Sequence, residues 1–308
     1  MNIIISGSLA YDRIMNFPGY FAEHILPEKI HVLNVAFTVD GMKEKFGGTA
    51  GNIAYALSLL GERPLISAAI GHDHQKYLDW LKKNGLSVEG IKIIEEELTA
   101  GAYITTDLSD NQITGFNPGA MKFSSCLDFE KLDLKDTIMI ISPGNLGDMI
   151  NYPKTCKDKG IDYIFDPGQS IPMLSAEDLR QAIEGCRILI CSDYELELIM
   201  SKTGLGKEAL LEKAGAIIVT MGELGSNIIT PIREISIPAV KPKKVEDPTG
   251  AGDSYRGGLI SGLARGMDIG DAAKVGSVCA SFTVECYGTQ EYQFTKEEFD
   301  ERFNNCFG

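Results

Sequence analysis

The chain has 308 residues, a formal net charge of −14, and 44% hydrophobic and 23% charged residues, a composition that excludes wholesale disorder. Its acidity argues against non-specific nucleic-acid binding, which depends on lysine and arginine neutralising phosphates, and no apolar run approaches the roughly 20 residues of a membrane-spanning helix. Seven cysteines without a Cys-x-x-Cys pair and four histidines give neither a disulfide framework nor a zinc site; with no basic, apolar leader at Met1–Gly7, they predict a cytoplasmic protein.

In chain order, Ile3–Ser8 reads as a buried first strand. Thr49–Leu60 places Ile53, Ala56, Leu57 and Leu60 at helical spacing and stops at Gly61, with Pro64 soon after. Leu65–Ile70 is the next strand, and Asp73–Lys83 a helix with Tyr77, Leu78 and Leu81 on one face. Thr137–Ser142, Asp162–Asp166, Arg187–Cys191 and Ala216–Met221 are further short strands separated by helical stretches. The last third is helical, at Gly250–Arg265, Asp268–Tyr287 and Lys296–Phe303. This alternation predicts an α/β fold with a mostly parallel, doubly wound sheet and helices on both faces. The whole chain, 1–308, reads as a single domain.

Two segments break the rhythm. Tyr11–Phe46 contains Pro18, Gly19, Pro27 and Gly41 with strand-like pieces such as His31–Val39, and Glu97–Phe116 reads as a hairpin around Asp107–Asp110. Together, as about 11–46 and 97–116, they predict a small antiparallel sheet acting as a lid, since long insertions that keep apolar residues are usually folded and functional. An unpaired edge on such a sheet would invite a symmetric dimer.

The strongest local signal is Val245-Glu246-Asp247-Pro248-Thr249-Gly250-Ala251-Gly252-Asp253, running into a helix. Glycines let backbone amides approach a ligand closely, and the unsatisfied amides of a helical first turn favour anions. Asp253 there would accept a proton from an attacking hydroxyl while the Gly250, Ala251 and Gly252 amides hold charge on a transferring phosphoryl group. The helix dipole predicts a lowered pKa for Asp253. The competing use of Asp253 is an ordinary acidic residue in a first turn. A second signal, Phe46-Gly47-Gly48-Thr49-Ala50-Gly51-Asn52, opens the Thr49 helix, and Asn52 offers both donors and an acceptor. Asp12, just past the first strand, lies where open parallel sheets bind ligands, and a carboxylate there accepts from two adjacent sugar hydroxyls.

Two patterns fail. Ser201–Glu208 mimics a phosphate-binding P-loop, but Ser201 takes the first glycine position and Glu208 replaces the metal-binding hydroxyl. Gly250-x-Gly252 lacks the third glycine of the dinucleotide fingerprint, because residue 255 is Tyr.

Asp247–Asp253 resembles the second signature of the ribokinase-like (phosphofructokinase-B type) carbohydrate kinases, and Phe46–Asn52 resembles their first. Gly7–Asp12, Phe17–Gly19, Phe116–Met121, Asp193–Glu195 and Tyr287–Glu291 are similar to the bacterial adenosine kinase group within that family. The resemblance implies a ribokinase-like fold with a β lid, and an ATP:nucleoside 5′-phosphotransferase acting on adenosine or a related nucleoside. It makes Asp253 the catalytic base and Gly250–Gly252 the anion hole. Asp12, Gly48 and Asn52 would grip the ribose, and Ser8, Gln169 and Phe116 would line the purine pocket. A base stacked on Phe116 would gain about 1–3 kcal/mol. Ser192, Glu195, Thr220, Gly222 and Gly225 fall on nucleotide-binding positions, with Glu195 organising Mg²⁺ through water. ATP and Mg²⁺ are the implied cofactors, a monovalent cation is left open, and dimerisation through the lid is implied.

The chain departs from the pattern at Ser192, where an Asn is expected, at Pro248, where a Thr is usual, and at Ala102, where an aromatic often completes the purine sandwich. The alternatives are a sugar kinase of the same fold, to which Asp12, Gly48 and Asn52 are equally suited, and a non-catalytic nucleotide sensor. Phe116 and Gln169, which a free sugar would leave unused, distinguish the first.

Overall fold

A computed structural model describes all 308 residues. Its strands are β1 (Asn2–Ser6), β2 (Ala10–Asn16), β3 (Met42–Gly47), β4 (Leu65–Gly71), β5 (Ile91–Ile94), β6 (Ala100–Thr106), β7 (Gln112–Asn117), β8 (Thr137–Ile141), β9 (Asp162–Phe165), β10 (Ile188–Ser192), β11 (Ile217–Thr220), β12 (Ser226–Ile229) and β13 (Glu234–Ile237). The helices are α1 (Phe21–His24), α2 (Thr49–Leu59), α3 (Gln75–Lys83), α4 (Leu146–Lys159), α5 (Ala176–Ile183), α6 (Asp193–Thr203), α7 (Lys207–Lys213), α8 (Ala251–Ala264), α9 (Ile269–Thr283) and α10 (Lys296–Phe307).

Nine strands form the main sheet in the order β13-β12-β11-β10-β9-β8-β1-β4-β5. The seven from β11 to β5 are parallel; β12 and β13 continue antiparallel at one edge. Successive strand residues face opposite sides, which divides the core. Ile3, Ile5, Ile138 and Ile140 pack with α2, α3, α8 and α9, and Ile4, Met139 and Ile141 with α4, α5, α6 and α7. Burial on both faces explains why these strands read as unbroken apolar runs. The parallel α/β sheet with helices on both sides is the architecture the sequence implies.

The second sheet has the order β3-β2-β6-β7. The expected antiparallel pairing holds for β2–β3 and β6–β7, but the two halves join through a parallel β2–β6 seam. The predicted strand at His31–Val39 is absent. Pro27–Val32 forms a 3₁₀ stretch, and the following residues are irregular. The alternation there is real, but it turns Val35, Phe37 and Val39 inward without pairing; Phe37 packs on Phe17 and Phe21 at ring separations of 4.8 and 4.9 Å. The helix expected over Asp268–Tyr287 ends at Thr283. The short strands β5, β12 and β13 escaped the sequence reading because four residues carry too little periodicity.

Candidate active site

Parallel strands bring their carboxyl ends to one edge, where Gly7, Pro143, Asp166, Ser192 and Thr220 follow β1, β8 and β9 or close β10 and β11. Helices α2 and α8 start at this edge, each from a glycine with positive φ (Gly48, +88°; Gly250, +79°). The two helices run close together because a Cβ on Gly257 would stand only 2.6 Å from Ala56 Cβ and 3.1 Å from the Ile53 carbonyl. That approach sets Asn52 beside Asp253.

Asn52 Nδ2 donates to Asp253 Oδ2 at 2.7 Å. Ala251 directs its amide to the Pro248 carbonyl at 3.2 Å, whereas the amides of Gly252 and Asp253 have no partner in the chain. Burial raises the Asp253 carboxyl to about 6; Arg256 and the Asn52 bond pull it down, and Asp166 and Asp12 push it up. The lowered pKa expected from the helix dipole is therefore reversed, because desolvation of the carboxylate outweighs it. Asp12 is also raised to about 6, by burial and by the nearby Asp247 charge. Asp247 itself ties two loops together, accepting from Thr249 N at 2.9 Å and Gly288 N at 3.2 Å.

Asp253 lines a cleft of about 220 Å³ together with Thr49, Asp166, Gln169, Glu195, Gly250, Gly252 and Arg256. Its polar walls suit a charged group. Arg256 and Asp166 form a buried pair at its floor, and Arg256 Nη1 also donates to the Gly252 carbonyl at 3.0 Å. Glu195 reaches the cleft from α6, where Oε2 accepts from Ser192 N at 2.7 Å and Ser192 Oγ accepts from Glu195 N at 3.2 Å. Ser192 thus caps its own helix, in keeping with a serine at the N-cap.

Asp12 pairs with Lys45 on β3 and Ala102 on β6, and Ala102 pairs with Phe116 on β7. Residues directly opposite in adjacent strands share a face, so Lys45, Asp12, Ala102 and Phe116 form one row. Phe116 is 54% exposed, leaving its ring open to a ligand on the face that carries Asp12. Tyr103 lies on the opposite face, where its hydroxyl accepts from Arg13 Nη1 at 3.0 Å. Asp12 also sits against the first signature: a Cβ on Gly47 would be 2.5 Å from Asp12 Oδ2.

Ser8 is buried, and its hydroxyl accepts from Thr49 N at 3.1 Å, fastening β1 to α2. Thr220, Gly222 and Gly225 form the β11–β12 turn outside the 220 Å³ cleft, with Thr220 Oγ1 donating to the Cys191 carbonyl at 3.4 Å. The structure therefore brings Asp253, Gly250, Gly252, Gln169 and Glu195 to one cleft, with Asn52 behind it and Asp12 and Phe116 on the small sheet.

Sequence reasoning gave no role to Arg256, Asp166, Thr289, Gln290 or Trp80. Thr289 Oγ1 and Gln290 Nε2 lie 2.8 and 3.0 Å from Asn52 Oδ1, and Trp80 Nε1 donates to Gln290 Oε1 at 2.9 Å. A signal existed for the first two. Asp166 ends an apolar strand and Arg256 interrupts an apolar, glycine-rich helix, positions where a lone charge needs a partner.

Residues 10–296 match the pfkB family carbohydrate kinases. A nucleoside kinase of Methanocaldococcus jannaschii is 34% identical over 278 residues, which cover 89% of this chain and 91% of that protein. The structure of a Burkholderia thailandensis nucleoside kinase in complex with inosine is 39% identical, with a TM-score of 0.87 over 99% of this chain and 98% of that one. The same protein in complex with ADP and inosine is 40% identical, with a TM-score of 0.85 over 99% and 96% of the two chains.

Proposed function

Because the chain belongs to the pfkB family of carbohydrate kinases, we propose that it is an ATP-dependent phosphotransferase acting on the 5′-hydroxyl of adenosine or a related nucleoside. The observation that carries the reading is Asp253 itself. A single carboxylate, raised to about 6 and held through one oxygen by Asn52, faces the cleft beside the free amides of Gly252 and its own residue.

In this reading the acceptor hydroxyl donates to Asp253, and its oxygen attacks the γ-phosphorus in line. The new O–P bond forms as the bond to the β-phosphate oxygen breaks. The hydroxyl proton passes to Asp253, and ADP leaves. The amides at the start of α8 stabilise charge on the transferring group, and Gly250 lets the chain turn so that they point outward. Asp12 and Gly48, with Asn52 at the same junction, orient the sugar. The small sheet closes as a lid and excludes water, and its exposed β7 edge is where a homodimer would form.

The donor set suits Mg²⁺, which keeps most of its waters and takes one or two carboxylates with phosphate oxygens. Glu195 is the available carboxylate, since Asp166 is committed to Arg256. Bound there, Mg²⁺ would neutralise charge on the ATP phosphates.

Two observations favour a nucleoside over a free sugar. The similar proteins named above are nucleoside kinases, and Phe116 shares a face with Asp12, where a base attached to a gripped ribose would stack. The test is ADP release from ATP with adenosine, inosine, cytidine and ribose at equal concentration. Preference for a purine nucleoside is expected; preference for ribose would replace it with the sugar kinase reading, and ATP binding without acceptor-dependent ADP release would replace both.

A further inference from the structure

We propose that Gln290 is a positioning residue, which fixes the direction of the Asn52 amide and through it the aim of the Asp253 carboxylate. The inference rests on the reading of Asp253 as proton acceptor. It begins at Trp80, whose indole nitrogen can only donate. Trp80 Nε1 donates to Gln290 Oε1 at 2.9 Å, which forces the other end of that amide, Nε2, toward Asn52 and Tyr77. Nε2 donates to Asn52 Oδ1 at 3.0 Å and to the Tyr77 hydroxyl at 2.9 Å. Asn52, its oxygen held by Gln290 with the Thr289 hydroxyl also 2.8 Å away, must present its NH₂ to Asp253, and it does so at 2.7 Å.

The polarity of the whole chain is thus set by a group that cannot accept. Reversed, the Asn52 oxygen would face the carboxylate, a repulsive contact. Gln290 is 2% exposed and Asn52 5%, so water cannot readily replace either bond. The same relay touches the small sheet: Tyr77 Oη donates to the Gly47 carbonyl at 2.5 Å, and Thr289 Oγ1 lies 3.0 Å from the Phe46 carbonyl. Lys45 pairs with Glu291 at 2.8 Å from the next residue along. One four-residue stretch, Gly288–Glu291, therefore connects the end of β3 to the base.

The charged groups around Asp253 are Arg256 on its own helix, Asp166 at the end of β9 and Asp12 on β2, with the phenols of Tyr77 and Tyr292 beyond. Of these only Tyr77 loses a contact when Gln290 is replaced, and burial keeps its phenol neutral. Loss of an ordered donor to the carboxylate disfavours its ionised form, so its titration moves to higher pH.

The experiment compares wild type, Gln290→Met, Trp80→Phe and Asp253→Asn. It measures kcat and KM for adenosine and ATP across pH, and the titration of the Asp253 carboxyl by ¹³C NMR, assigned by its loss in Asp253→Asn. Gln290→Met is expected to lower kcat about tenfold near neutral pH, the cost of one hydrogen bond to a charged group, with KM within about twofold on the same grounds. The acid limb and the carboxyl titration should both move to higher pH. Trp80→Phe, which removes only the director, should shift both the same way by less; it carries the test if Gln290→Met fails to fold. A lower kcat with neither shift would reduce Gln290 to packing and overturn the proposal, as would unchanged kinetics together with an unmoved carboxyl titration. A shifted carboxyl titration with turnover unaffected would uphold the relay and remove Asp253 from its catalytic role.

Discussion

Arg256 Nη2 donates to Asp166 Oδ1 at 2.7 Å while Nε lies 2.6 Å from Oδ2, and the two residues are 7% and 2% exposed. Such a pair holds its geometry because each charge, once withdrawn from water, has the other as its direct ion-pair partner. Arg256→Met or Asp166→Asn should each destabilise the fold by about 3–5 kcal/mol, since each strands a buried charge. Urea unfolding of the single variants and of the Arg256→Met/Asp166→Leu double variant would show the point: the double should recover much of the loss.

Asp253→Asn should lower kcat by about 10²–10⁴-fold, the range for a missing general base. The amide can still accept from Asn52, so the fold should survive, and circular dichroism melts would check this. Near-normal turnover would remove Asp253 from the role proposed for it.

Two carboxyls displaced upward to about 6 have opposite consequences for activity and stability. In the proposed mechanism Asp253 must be ionised, so kcat should rise along an acid limb near pH 6. Stability runs the other way. Between the ordinary carboxylate range and pH 6 the folded state binds more protons than the unfolded chain, so the contribution of each group falls as pH rises through that window. Asp12→Asn should therefore stabilise the protein at pH 8, by on the order of 1–3 kcal/mol, and lose that advantage below pH 4. Thermal melts at the two pH values provide the comparison.

Phe116→Ala should raise KM for nucleosides by roughly 5- to 150-fold, the equivalent of about 1–3 kcal/mol of base stacking. Activity on ribose, where measurable, should be unchanged. Equal losses on both acceptors would place the ring outside the base site.

Gly48 stands at φ +88° and ψ +140°, and an added Cβ would fall 2.6 Å from the Ser8 carbonyl. Gly48→Ala should cost about 1–3 kcal/mol through the backbone alone, measured by denaturant midpoint, with a further loss of turnover as the loop proposed to orient the sugar is displaced.

Strands β1, β4, β8, β9, β10 and β11 were legible because their interior residues are buried on both faces and form apolar runs. The two glycine-rich signatures were legible because amides at a helix start need room above them. What escaped was whatever depends on distant partners. Nothing local to Asn52 shows that its amide bonds to Asp253, 201 residues away, and to Gln290, 238 residues away. Asp253 itself reversed its expected shift because burial is a property of the assembled cleft, while the dipole is a property of one helix. His31–Val39 failed for the complementary reason: it was read as a strand-like piece, and the fold uses it, unpaired, to seat Phe37.

Among the six helices of more than ten residues, α4, α6, α9 and α10 shield their leading amides with their own Asn145, Ser192, Asp268 and Thr295. Helices α2 and α8 begin instead at glycine, with no side chain to do so. Ser8 supplies the missing acceptor to α2 from across the β1 loop, and the Pro248 carbonyl takes the Ala251 amide of α8, but nothing in the chain does so for Gly252 and Asp253. Those two amides are where, on the proposed function, the nucleotide's phosphate would complete a turn that the chain leaves open.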